Sequence, residues 1–118
     1  MILFKRDLKR ALCFALLSIY FVGARAAGDA STVAKQNACL GCHAVDKKIV
    51  GPSFQSVAKK YANDRNANLF LKNKILKGGS GSWGVVPMPA NTKLSSGDIA
   101  LLTSWILRGA PSEIKMQE

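Results

Sequence analysis

Cys39, Leu40, Gly41, Cys42 and His43 set two thiols three residues apart, with an imidazole directly after the second. That spacing brings both sulfurs to one side of a single helical turn. From there they can form thioethers with the two vinyl groups on one edge of a porphyrin, while the imidazole falls where the iron needs its proximal ligand. Two other chemistries use paired cysteines. A zinc site would need a second ligand pair, but the chain has one histidine and only one further cysteine, Cys13, inside a segment that reads as a targeting signal. A dithiol redox pair would want a βαβ setting, and the flanks here read helical. The expected cofactor is one heme c, covalently bound through Cys39 and Cys42, with His43 on its iron.

An iron so held has one axial position left, and with one histidine in the chain it is not filled by a second imidazole. Of the three methionines, Met1 would leave with the signal and Met116 lies in a charged tail. Met88 sits in Val85-Val86-Pro87-Met88-Pro89-Ala90-Asn91. Each proline fixes its own φ and pushes the residue before it to an extended conformation, so Met88 is presented on a stiff strap. Filling the core is the commoner use of a methionine, but the Pro-Met-Pro setting favours ligation.

The elements that must position these groups read as helices. Asp29 to Thr32 offers several N-caps, and a weakly amphipathic helix is expected over Thr32 to Leu40. A loop from Ala44 to Pro52 follows, then a short helix over Ser53 to Ala62 with Phe54, Val57, Ala58 and Tyr61 at spacings of three and four. Asn63 to Asn66 is a polar break that could cap the next helix, Ala67 to Lys77, for which Leu69, Phe70, Ile75 and Leu76 form the expected apolar face. Gly78 to Ser82 ends it, and the chain to Leu94 has no periodicity, a length that in a small domain points to function. Ser95 and Asp98 form a capping-box pattern for the last helix, with Ile99, Leu101, Leu102, Trp105 and Ile106 apolar and Gly109 and Pro111 as its stop. No strand pattern, repeat or linker is evident, so the fold class is all-α.

The chain has 118 residues, 17 basic against 7 acidic, and a formal net charge of +10. Lys5, Arg6, Lys9 and Arg10 followed by the apolar run Ala11 to Ala24 and by Ala24-Arg25-Ala26 read as a signal peptide cleaved after Ala26. The run is too short to cross a bilayer comfortably, which disfavours an uncleaved anchor and any permanent membrane insertion. The expected organisation is a signal over 1–26 and one domain over 27–118, located in the periplasm. A domain of that size makes only a marginal core by itself, so the chain without its porphyrin should be poorly folded.

These motifs resemble a class I monohaem cytochrome c, and within it the bacterial c551/c552 (c8) group. The resemblance rests on Cys39 to Ala44, on Val50-Gly51-Pro52, on Trp83-Gly84-Val85-Val86-Pro87-Met88-Pro89-Ala90-Asn91, and on Trp105-Ile106-Leu107 in the closing helix. It implies about four helices around one covalent haem, with a methionine-bearing strap. It also implies that the Pro52 carbonyl accepts the Nδ1–H of His43 and fixes the ring, that the Trp83 indole contacts a haem propionate, that Lys74 stands where some relatives carry an arginine serving that propionate, and that the Asn91 amide bonds near the methionine sulfur. One departure is Ala34, where the group usually has an aromatic residue packing on the last helix; a looser or refilled contact with Trp105 is expected.

Closed His43/Met88 ligation leaves no site for substrate and suits one-electron transfer through a haem edge, not enzyme catalysis. Thioether sulfur favours ferrous iron and raises the potential. The expected function is a monomeric periplasmic carrier between a donor such as a bc1-type complex and a terminal oxidase or reductase. Its expected partners are these redox proteins and the cytochrome c maturation machinery, with no nucleic acid. Lys47, Lys48, Lys59, Lys60, Lys72, Lys74, Lys77 and Lys93 could form a rim that steers acidic partners, or simply a solvated surface. The alternatives are a docked electron-accepting subunit of a periplasmic dehydrogenase or sulfur-oxidising complex and, less favoured, a haem enzyme or gas sensor in which Met88 leaves the iron.

Overall fold

The computed structural model describes residues 29–112, so the signal reading at 1–26 and Cys13 and Met116 lie outside the described residues. Among the described residues four α-helices follow one another: α1 (Ala30–Gln36), α2 (Phe54–Tyr61), α3 (Ala67–Lys77) and α4 (Ser96–Leu107). Among the described residues extended pairing is limited to two isolated bridges, His43 with Lys48 and Gly79 with Met88. None of the described helices is long and apolar enough to cross a membrane.

The last helix is the hub, because α1, α2 and α3 each pack against α4. Ser95 caps it, its Oγ accepting the Asp98 N–H at 3.1 Å and donating to the Asp98 carboxylate at 2.7 Å. Ile99, Leu102, Trp105 and Ile106 face inward. Burying four such side chains supplies each contact with about 1.5–3 kcal/mol of transfer free energy. Gly109 and Ala110, both at positive φ, turn the chain away, and the Trp105 indole donates to the Pro111 carbonyl at 3.0 Å.

The first helix differs from the expected Thr32–Leu40. It starts earlier, capped by Asp29, which accepts from the Ser31 N–H, and ends at Gln36. Ala38 adopts the left-handed conformation (φ 58°), and Cys39–Gly41 form a separate 3-10 turn. The left-handed residue breaks the helical register just before the first thiol, and an alanine gives no side-chain signal for it.

In α3 the buried residues are Ala67, Leu71 and Ile75, a row at spacing four, so Ile75 lies in the core as expected and Leu69 and Leu76 do not. Leu69 is 64 % exposed and Leu76 is also exposed, while Phe70 is half-buried against Tyr61 with ring centroids 5.1 Å apart. No side chain caps α3 at Asn66; the Asp64 carboxylate instead takes the Asn66 N–H at 2.8 Å. The anticipated looseness at Ala34 is absent, since Ala34 and Trp105 are both buried. The aromatic partner of Trp105 comes from α2, where Phe54 meets it edge-on at 5.2 Å.

Candidate haem site

Cys39, Cys42, His43, Pro52, Lys74, Trp83, Met88 and Asn91 all line one cavity of about 480 Å³. Two stretches supply them apart from Lys74: the 3-10 turn and following loop, and the strap between α3 and α4. Phe54, Val57, Leu71, Ile75, Leu102 and Ile106 add apolar wall from three helices. A space of this size with mostly apolar walls and a few polar groups is that of a cofactor site.

Cys39 opens the 3-10 turn and Cys42 follows its last residue, and both thiol residues line the cavity. Both are half-buried. Burial pushes the Cys39 thiol above its ordinary range, partly opposed by a backbone hydrogen bond. The Cys39 carbonyl accepts from Cys42 N at 3.2 Å and His43 N at 2.9 Å, and the Cys42 carbonyl accepts from Val50 N and Gly51 N at 3.2 and 2.8 Å. The loop thus folds back under the motif.

His43 is held from three directions. Its Nδ1 lies 2.7 Å from the Pro52 carbonyl oxygen. A carbonyl only accepts, so Nδ1 carries the proton and the neutral ring has its free lone pair on Nε2. Phe54 stacks on the ring at 5.4 Å and 18°. Gly51 lies against it: a Cβ there would meet Cε1 and stand 2.8 Å from Nδ1 and 2.9 Å from Nε2. Phe54 and Gly51 were legible only as a core residue and a loop residue; no spacing rule reports that both touch the imidazole.

Met88 is half-buried. Its backbone pairs reciprocally with Gly79, N to O at 2.9 and 3.0 Å. Gly78, at φ 67°, was read as a helix stop but does more. A Cβ there would strike the Met88 carbonyl and stand 2.8 Å from Ala90 N. The Asn91 Nδ2 donates to the carbonyls of Ile75 and Pro89, each at 3.3 Å, and its backbone N donates to Ile75 at 3.1 Å. The amide ties the strap to α3. Trp83 is 43 % exposed at the cavity edge with the Lys60 ammonium 4.4 Å from its ring centroid. Lys74 is half-buried with its Nζ 5.8 Å from the Phe70 ring. Of the eight lysines named for the rim, Lys48 and Lys74 line the cavity.

The donor set fits a porphyrin iron: two thiols on one turn, an imidazole with Nε2 free, a thioether, and apolar walls. The comparisons with known proteins agree. The cytochrome c family model matches residues 27–110. Cytochrome c-552 of Nitrosomonas europaea is 43% identical over 90 residues, covering 76% of this chain and 86% of that protein. Cytochrome c-551 of Pseudomonas aeruginosa is 36% identical over 99 residues, covering 80% and 94%. The crystal structure of the Nitrosomonas europaea cytochrome c552 superposes with a TM-score of 0.65 at 43% identity, over 67% of this chain and 98% of that one. A class 1 cytochrome from Sideroxydans lithotrophicus superposes at 0.62 and 31% identity, over 70% and 95%. Fold and cavity define an all-α haem-binding domain of class I type. The chain belongs to the cytochrome c family, whose members carry electrons on a covalently bound heme c and act with redox partners.

Proposed function

We propose that the chain is a periplasmic one-electron carrier with a single heme c, linked through Cys39 and Cys42 and ligated by His43 and Met88. The observation that carries this is the convergence of these four side chains on one cavity, with the His43 Nδ1–H fixed on Pro52 so that Nε2 is left for iron. When bound, the group supplies a one-electron iron couple. This chain's residues do the rest. The thiols anchor the ring edge, Pro52, Phe54 and Gly51 orient the imidazole, and the strap presents thioether sulfur, which favours the ferrous state. The apolar walls exclude water and act in the same direction. Export to the periplasm rests on the signal pattern at 1–26, and the start of the family match at residue 27 supports it. A respiratory donor of the bc1 type and a terminal oxidase or reductase are the partners that suit such a carrier.

Absorption spectroscopy of the purified holoprotein tests the ligation. The ferric long-wavelength band of a methionine–iron bond should be present, should be lost in Met88→Ala, and the wild-type ferrous form should not bind CO. Ready CO binding by the wild type with no such band would sink the carrier reading and leave an open-iron protein.

A second reading has one observation in its favour. Val85 is 90% exposed and Val86 62%, with Val50 51% and Ile49 48%, and Val50 and Val86 line the cavity. Exposed apolar side chains of this kind suit docking. Lys48 and Lys74 line the same cavity, so the surface fits either a transient acidic partner or a permanent one, as in a docked subunit. Electron transfer that slows steeply with salt in a monomeric protein supports the transient partner; co-elution with a dehydrogenase at high salt supports the docked subunit.

A further inference from the structure

The stretch between α3 and Met88 is rich in glycine, and Gly78, Gly79, Gly81 and Gly84 all have positive φ. Such backbone loses more freedom on ordering than any other, so what holds it matters. At its base the reciprocal Gly79–Met88 pair closes the loop, and within it Gly81 N donates to the Gly84 carbonyl at 2.8 Å. Among the described residues one side chain ties the tip of this loop to another element. Lys60, in the last turn of α2, donates from Nζ to the Ser82 carbonyl at 2.5 Å. The same ammonium stands 4.4 Å from the Trp83 ring centroid and 5.7 Å from that of Tyr61.

Tyr61, Ser82 and Trp83 all line the cavity. Lys60 therefore spans from the α2 wall to the strap wall. We propose that Lys60 is a latch that holds the glycine-rich loop across the cavity mouth and thereby limits how often the Met88 strap opens. It is a positioning residue, acting on the loop and not on the iron. It is also thereby withdrawn from the freely mobile lysines of the surface, since its ammonium is already engaged by a carbonyl and an aromatic face. The consequence for iron access rests on the ligation proposed above; the latch itself does not.

The test uses the ferric holoprotein and three variants. Lys60→Ala removes the latch without lowering helix propensity. Lys60→Arg keeps the cation and donor. Lys59→Ala, also in the last turn of α2, loses the same charge with no latch to lose. Amide exchange is followed at Gly79, Gly81 and Met88, with Leu102 in α4 as the reference for global opening, and the rate of imidazole binding to iron is measured alongside. In Lys60→Ala the three loop amides should exchange about fivefold faster, the factor that corresponds to about 1 kcal/mol of lost contact. Leu102 should not change, Lys59→Ala should behave as wild type, and Lys60→Arg should restore most of the protection. Imidazole should bind faster by a similar factor. Unchanged loop exchange in Lys60→Ala, or an equal rise at Leu102 or in Lys59→Ala, overturns the latch. Faster loop exchange with imidazole binding equally rapid in all four proteins upholds the latch and instead removes Met88 from the iron.

Discussion

The two sides of the cavity are held in different ways. On the His43 side a hydrogen bond, a stacked ring and a glycine contact converge on one side chain, and Phe54 carries that ring contact on to Trp105 in the hub helix. On the Met88 side the side chain packs against the core cluster, and the hydrogen bonds and close approaches are to backbone: the Gly79 pair, the Asn91 bonds to α3, the Gly78 approach and the Lys60 latch. Both side chains are half-buried. The imidazole is fixed by contacts to its own ring, whereas the thioether rests against the core cluster on a strap whose hydrogen bonds are to backbone. Opening and ligand exchange should therefore begin on the methionine side, with the histidine side following only on global unfolding.

The sharpest way to break this contrast is Phe54→Ala. It removes the ring between His43 and Trp105 and should cost about 3–5 kcal/mol by denaturant unfolding, with the ferric methionine band and the helical signal lost together. Gly78→Ala comes next. The added Cβ meets backbone that cannot turn aside, at a φ that disfavours alanine, so a loss of about 2–3 kcal/mol is expected. Here the methionine band should fade well before the helices melt. Gly51→Ala meets a ring that can shift, and should cost about 1–3 kcal/mol. Its signature is a changed histidine environment in paramagnetic NMR. Asn91→Ala should cost about 1 kcal/mol and lower the temperature at which the methionine band disappears, leaving the helix melt nearly unmoved. The smallest effect has the opposite sign. Ala38→Gly should stabilise by about 0.5–1 kcal/mol, because glycine accepts the left-handed conformation without the steric penalty.

Much of this was legible in sequence for reasons that differ by residue. The capping pair Ser95 and Asp98, and the glycine that ends α3, are local signals, and the last three helices stand within a residue or so of their expected limits. The thiols, imidazole and strap were legible because ligand chemistry demands those types at those spacings. What escaped depends on contacts between segments far apart in sequence. Ala38 ends α1 without any residue type that announces it. Leu69 and Leu76 look like core by hydropathy, but the direction of α4 selects the Ala67–Leu71–Ile75 row instead. Gly51 and Gly78 read as turn formers, although their missing side chains make room for His43 and for the strap. The Asn91 bond to Ile75 was not legible either, because the Ile75 carbonyl lies sixteen residues away in the sequence.

The hub position of α4 bears on timing. A chain crossing a membrane from its amino end presents residues 39–43 well before the helix on which α1, α2 and α3 all rest. Until α4 emerges, those three helices have no common surface to settle on, and the strap has no closed domain to span. Under the export proposed above, Cys39 and Cys42 would emerge ahead of the helix on which the others rest. The order of the helices along the chain would then act as a delay, presenting the thiols before the surface that closes the domain exists.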